Sequence, residues 1–127
     1  MSIGQFREFH DDVCQFRPCG KSSLVEAVDL ISCAIRSCRN QEVAKLLVNT
    51  TALTGVSVPA LSDRFLMIEE WAQEAQGMVM VALVVQPELI DPRKFGVKVA
   101  QHFGFAADIF TSEPDAVKWL SSTIEAR

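Results

Sequence analysis

An α/β fold on a mixed sheet, antiparallel at its start and parallel afterwards, follows from three observations on the sequence. Two stretches, Lys45 to Asn49 around the apolar run Leu46 to Val48 and Met78 to Val85, lack the polar alternation of a half-exposed strand, so both read as strands buried on both faces. Between and after them, apolar residues recur at steps of three and four, the period of an amphipathic helix. Strands and helices then alternate along most of the chain, which predicts parallel strands joined by right-handed crossovers.

At the start of the chain, Gln5 to Phe9 and Val13 to Arg17 flank His10, Asp11 and Asp12. That arrangement predicts an antiparallel hairpin turning on the acidic pair, with Phe6 and Cys14 or Phe16 on its core face. After Pro18 and Gly20, Ser23 and Glu26 have the S-x-x-E spacing of a capping box, in which each side chain bonds the other's free backbone N–H. Leu24, Val28, Ile31, Ile35 and Cys38 then form one apolar stripe, and Arg39 with Asn40 marks its end. The strand Lys45 to Asn49 delivers the loop Thr50 to Ser57. Ser57 with Pro59 reads as the next helix opening, because Pro has no N–H to lose in a first turn. Leu61, Phe65, Ile68, Ala72 and Ala75 are its expected buried stripe, and Gly77 its stop.

Met78 to Val85 is the expected central strand, ended by Pro87, which cannot donate to a ladder. Asp91 with Pro92 predicts another cap and first turn, Phe95, Val99 and Phe103 an inward stripe, and Gly104 a stop. Phe105 to Phe110 reads as the last strand. Ser112 and Asp115 resemble a final capping box, leading into a helix lined by Val117, Leu120 and Ile124. The predicted order is ββαβαβαβα, one domain over residues 1–127, with about four helices covering the sheet.

Composition narrows the function classes. The 127 residues are 49% hydrophobic and 22% charged, ordinary globular proportions. A formal net charge of -4 and the lack of any Lys/Arg cluster exclude a nucleic-acid binder that works by displacing counterions. The longest apolar stretch, Met78 to Val85, is far short of the roughly 20 residues that span a bilayer. The N-terminal MSIGQFREFHDD carries no basic-then-apolar export pattern, so a cytoplasmic protein with reduced Cys14, Cys19, Cys33 and Cys38 is expected.

The run KLLVNTTALTGVSVPALSDRF, followed by AQGMVMVALVVQPELIDPRKFGVKVAQHFGF and DIFTSEPDAVKWL, resembles the bacterial SpoIIAA-like proteins of the STAS and CRAL-TRIO superfamily. The likeness covers most of the chain, and F-T-S-x-x-x-A-x-x-W-L is a marker of that family. It implies a SpoIIAA-like (STAS-like) α/β sandwich, with an N-terminal hairpin and later parallel strands. Anti-sigma-factor antagonists, which are STAS proteins, carry an Asp-Ser pair at the helix start after the equivalent strand, and a partner kinase phosphorylates the Ser. Counted from Asn49, which takes the place of a strand-end Asp, the pair falls on Ser57 and Val58, so the acceptor is missing at its position. Ser57 stands one residue early and reads more simply as a helix cap. CRAL-TRIO domains hold a lipid or other apolar molecule between the sheet and a movable helix. By that resemblance Met67, Trp71, Phe95, Val99 and Phe103 line a cleft with the third helix as a lid, although such spacing also fits plain core.

No enzyme signature emerges. G-x-G-x-x-G, the Walker lysine motif, H-E-x-x-H and G-x-S-x-G are absent. His10 and His102 have no nucleophile at motif spacing. The pairs Cys14/Cys19 and Cys33/Cys38 are spaced C-x4-C, but Cys33 and Cys38 lie about 140° apart around one helix and cannot chelate together. Small buried hydrophobes are the better reading of all four. Arg64, and Arg93 with Lys94, fall near strand ends, where an anion would bind. The expected function is a non-enzymatic binding module without metal or cofactor, acting by protein contact or by taking a small apolar or lipid-like ligand near the strand carboxyl ends. Thr51, Thr54, Ser57, Arg64, Trp71, Glu88 and Arg93 are the candidate surface. A homodimer and transient membrane contact are compatible with it. The alternative is a partner-switching regulator phosphorylated on Ser57.

Overall fold

The computed structural model describes residues 7–10, through their backbone, and 13–122. Phe6, Asp11, Asp12 and Ile124 lie outside the described residues. Along the chain run β1 (Arg7–His10), β2 (Val13–Phe16), β3 (Gly20–Lys21), α1 (Leu24–Asn40), β4 (Lys45–Asn49), β5 (Leu53–Thr54) and α2 (Leu61–Ala75). After these come β6 (Met80–Val84), a single 3-10 turn at Pro87–Leu89, α3 (Phe95–His102), β7 (Ala107–Phe110) and α4 (Glu113–Ser122).

The main sheet has five strands in the order β1-β2-β4-β6-β7. β1 and β2 are antiparallel, with Phe9 opposite Cys14, and every later pair is parallel. Leu46 stands beside Val81 and Val48 beside Leu83, so the two apolar runs are neighbours at the middle of the sheet. Side chains alternate across the pleat. Leu46, Val48 and Val81 meet Ile31, Ile35, Ile68, Trp71 and Val99 from α1, α2 and α3 on one face. Leu47, Ala82 and Val84 meet Ala116 and Leu120 of α4 on the other. This two-sided burial is why neither run shows polar alternation. Among the described residues no helix is long and apolar enough to cross a membrane.

Helix α1 forms as its sequence dictates. Ser23 Oγ accepts the Glu26 N–H at 3.1 Å, and the Glu26 carboxylate accepts the Ser23 N–H at 2.9 Å. Before α4 one half of that arrangement recurs, the Asp115 N–H donating to Ser112 Oγ.

Helix starts elsewhere differ from the sequence expectation. α2 begins at Leu61 rather than at Ser57 and Pro59; Ala60 is the cap residue, and the Asp63 carboxylate accepts its N–H at 3.1 Å. α3 begins at Phe95 rather than behind Asp91 and Pro92. The stretch Asp91 to Lys94 closes a turn through Lys94 N–H to Asp91 O, and Lys94, at φ 51, takes a left-handed conformation that no helix can propagate through. Asp91 still serves the helix, because its carboxylate accepts the Phe95 N–H at 2.7 Å.

The apolar stripes are also narrower than predicted. Leu61 and Phe65 are 58% and 39% exposed, so only the later turns of α2 reach the core. Met78 is exposed and precedes β6, and Phe103 leaves the core to stack edge-on against Phe65 at 5.7 Å. Cys14 and Cys38 are buried as expected, whereas Cys19 and Cys33 are exposed. Cys33 falls on the outer face of α1 beside Arg36. Sequence periodicity also gave no sign of β3 and β5, which pair in parallel as a separate two-stranded ladder. Removing side-chain volume from the middle of the sheet carries a cavity cost. Leu46→Ala should lower unfolding stability by about 2–5 kcal/mol, and Ser23→Ala by about 1 kcal/mol, each read as a shifted urea midpoint with an unchanged slope.

Candidate functional site

The carboxyl ends of β4 and β6 are tied together by their own loops. The Thr50 N–H and hydroxyl both donate to Val84 O, at 2.9 and 3.1 Å, and Gln86 Nε2 donates to Thr51 O at 3.0 Å. Asn49 turns the chain out of β4, its Oδ1 accepting the Thr51 N–H at 2.9 Å and the Thr51 hydroxyl at 2.7 Å. Such side-chain turns are what Asn offers at a strand end. Asn49 is itself held from behind, because its Nδ2 donates to Glu113 Oε2 at 2.6 Å. Glu113 opens α4 and also receives Arg17 in a two-pronged pair at 2.8 and 2.9 Å, while Arg17 reaches Gln15 as well. The Arg17 hydrogen bonds hold the Glu113 carboxyl below its usual range, partly opposed by burial and aided by Asn49.

Further along, the loop crosses over Ser22. Gly55 sits at φ 85, and a Cβ there would come within 3.3 Å of Ser22 O, so both the backbone angle and the close approach call for glycine. The crossing carries Val56 and Val58 over one side of a cavity of about 430 Å³, within the usual range for small-molecule sites. Its floor is the pleat face of β6 and β7, where Val81, Leu83, Val85, Ala107 and Ile109 point the same way. α1 supplies Val28 and Ile31, α2 supplies Met67, Ile68 and Trp71, and α3 closes the remaining side with Gly96 and Val97. The polar rim holds Thr50, Arg64, Gln86, Glu88, Asp91, Lys94 and Asp108.

Among the described residues two cations stand on this rim, Lys94 and Arg64. Lys94 Nζ pairs with Asp108 Oδ1 at 3.2 Å, and the same oxygen accepts the Ile109 N–H at 2.7 Å. Arg64 reaches from the first turn of α2 across to the 3-10 turn, where both of its terminal nitrogens donate to Leu89 O at 3.3 Å.

The backbone is similar to that of two solved bacterial proteins. An anti-sigma factor antagonist from Mycobacterium paratuberculosis matches at a TM-score of 0.60 and 16% identity, over 94% of this chain and 95% of that one. An uncharacterised protein of the DUF3478 family with a SpoIIAA-like fold, from Shewanella loihica PV-4, matches at 0.50 and 21%, over 94% and 93%. The fold is SpoIIAA-like. No protein-family model and no curated protein matches the sequence.

Within this SpoIIAA-like frame the candidate residues separate. Arg64, Trp71 and Glu88 line the cavity; Thr51, Thr54, Ser57 and Arg93 do not. Trp71 is part of the wall and not of the surface, 2% exposed with its indole N–H donating to Val28 O at 3.2 Å. Thr51 holds the loop in shape, and Thr54 belongs to β5, its carbonyl accepting the Ser22 N–H. Ser57 is exposed and caps no helix, because that place falls to Ala60. Of the expected cleft residues Met67 faces the space, whereas Val99 is packed into the core, Phe95 lies against it and Phe103 is outside.

The sequence reading missed Thr50, Val56, Val58, Leu83, Val97 and Ile109, all of which border the cavity. Leu83 and Ile109 carried a signal in their even spacing from Val81 and Ala107, which assigns them to one face once the register is known. Among the described residues no group of three His, Cys, Asp or Glu side chains gathers as a metal-ligand set.

The Glu113 pair carries a pH signature. A carboxyl held below its ordinary value of 4.5 stabilises the fold fully above that pH, and the contribution is lost as pH falls through the lower folded value. Glu113→Gln should therefore cost about 1 kcal/mol at neutral pH and progressively less in acid. Urea unfolding of both proteins across that range checks it; a gap that widens in acid would contradict the assignment.

Proposed function

We propose that the chain is a non-enzymatic SpoIIAA-like module of one domain that binds a small apolar ligand at the carboxyl ends of β4, β6 and β7. The observation that carries this reading is the cavity of about 430 Å³, floored by apolar strand residues and ringed by a few fixed polar groups. That combination is the ordinary chemistry of a small-molecule site: apolar area supplies affinity and the polar rim supplies orientation. Among the described residues that border it, the Thr50 hydroxyl donates to Val84 O, Lys94 is paired with Asp108 and Asp91 takes the Phe95 N–H, which favours holding a ligand over attacking one.

A second reading has one observation in its favour. Ser57 is exposed in the loop before α2, and because Ala60 and Asp63 form the helix start, its hydroxyl has no capping duty. It suits a regulator that works by protein contact and is phosphorylated at this displaced serine. The solved anti-sigma factor antagonist, 16% identical, has a similar fold. Phosphate recovered on Ser57 by mass spectrometry of protein from its native cell would favour this reading.

The ligand reading is tested with the uncharged dye Nile red. Saturable binding with raised emission is expected, weakened tenfold or more in Val97→Phe, which fills the cavity from α3, and unchanged in Val25→Ser on the outer face of α1. A dye that binds both variants as it binds the parent sits elsewhere, and the cavity is then not its site.

A further inference from the structure

We propose that Arg64 anchors the carboxylate of an amphiphile, a medium-chain fatty acid being the simplest member of the class, whose chain fills the apolar cavity. The inference rests on the reading of that cavity as a ligand site and names the chemistry of its occupant.

Arg64 is an unmatched charge among the described residues. Arg64 borders the cavity and is half-buried. Both of its hydrogen bonds go to one neutral acceptor, Leu89 O, at the long distance of 3.3 Å. No carboxylate of the described residues lies within ion-pair distance of it. A guanidinium offers five donors in a flat fork whose geometry matches a carboxylate, and here most of them are unused.

Other charges at the mouth are already met or lie in solvent. Lys94 is paired with Asp108 at 3.2 Å. Asp91 keeps its charge, with one oxygen accepting the Phe95 N–H at 2.7 Å at the start of α3, where the helix dipole stabilises it. Glu88 is exposed on the 3-10 turn, where water and salt screen its repulsion of an incoming anion. Arg64 is thus the cation on this rim, among the described residues, that a ligand can neutralise without first breaking an ion pair.

Position adds direction to charge. Met67, Ile68 and Trp71 follow Arg64 on α2 and border the same space, so a chain laid along the wall with its head at Arg64 runs inward over apolar surface. Binding exchanges two long bonds to Leu89 O for a charge-assisted pair against a low-dielectric wall, where such pairs are stronger than in water. No residue of the Pro87–Leu89 turn is buried, so water can take up the Leu89 carbonyl.

The test compares dodecanoate with dodecanol as displacers of Nile red, in the parent and in Arg64→Gln. Dodecanoate should bind the parent roughly tenfold or more tighter than dodecanol, and Arg64→Gln should abolish that preference while leaving dodecanol affinity unchanged. The unchanged dodecanol affinity also reports that the variant is folded. Equal affinities in the parent, or a preference that survives in Arg64→Gln, overturn the assignment of Arg64 while the apolar site stands. Failure of both ligands to displace the dye overturns the site itself, and the anchor with it.

Discussion

The structure depends on the burial of β4 against β6 from both sides at once. Leu46, Leu47 and Val48 have no measurable exposure, although they point alternately to opposite faces, and the same is true of Ala82 on the neighbouring strand. A strand so placed cannot be served by helices on one side only. Leu47 and Ala82 require α4, just as Leu46 and Val48 require α1 and α2. Once both faces are sealed, register has little freedom, because a slip by one residue would exchange the residues offered to α1 and α2 with those offered to α4. The ends of the two strands are then forced side by side, and the loops that leave them share hydrogen bonds between Thr50, Val84, Thr51 and Gln86.

Much of this is legible in the sequence alone. The bounds of β4 and the start of α1 were readable because each is encoded locally, by an unbroken apolar run in one case and by two reciprocal side-chain bonds in the other. The starts of α2 and α3 were misplaced for a common reason. Ser57 with Pro59 and Asp91 with Pro92 have the composition of helix openings, yet a proline suits a turn equally well, and tertiary contacts decided between the two. Lys94 in a left-handed conformation is a case that sequence preference argues against, and it is seen only in the folded chain.

The candidate site was less legible than the fold. Cavities arise where surfaces fail to meet, and residue type does not record that failure. Leu83 and Ile109 look like any other core residue along the chain, and only the placement of α3, through Gly96 and Val97, leaves their face partly uncovered. Conversely, Thr51 and Asn49 were conspicuous polar residues at a strand end, but their side chains are used in shaping the loop. Arg64 was visible as a cation near the rim; that its bonds run to a carbonyl and not to a carboxylate depends on where the Pro87–Leu89 turn settles.

Trp71 and the chain's other tryptophan stand on opposite sides of the sheet. Trp71 projects from α2 into the wall, with its indole N–H held by Val28 O, while Trp119 lies on α4, tilted against Phe110 at 5.9 Å. The molecule consequently contains two optical reporters in separate compartments. Ultraviolet emission from Trp71 senses the interior space directly, Trp119 supplies an internal reference across the sheet, and occupancy can be followed by light without attaching anything foreign to the chain.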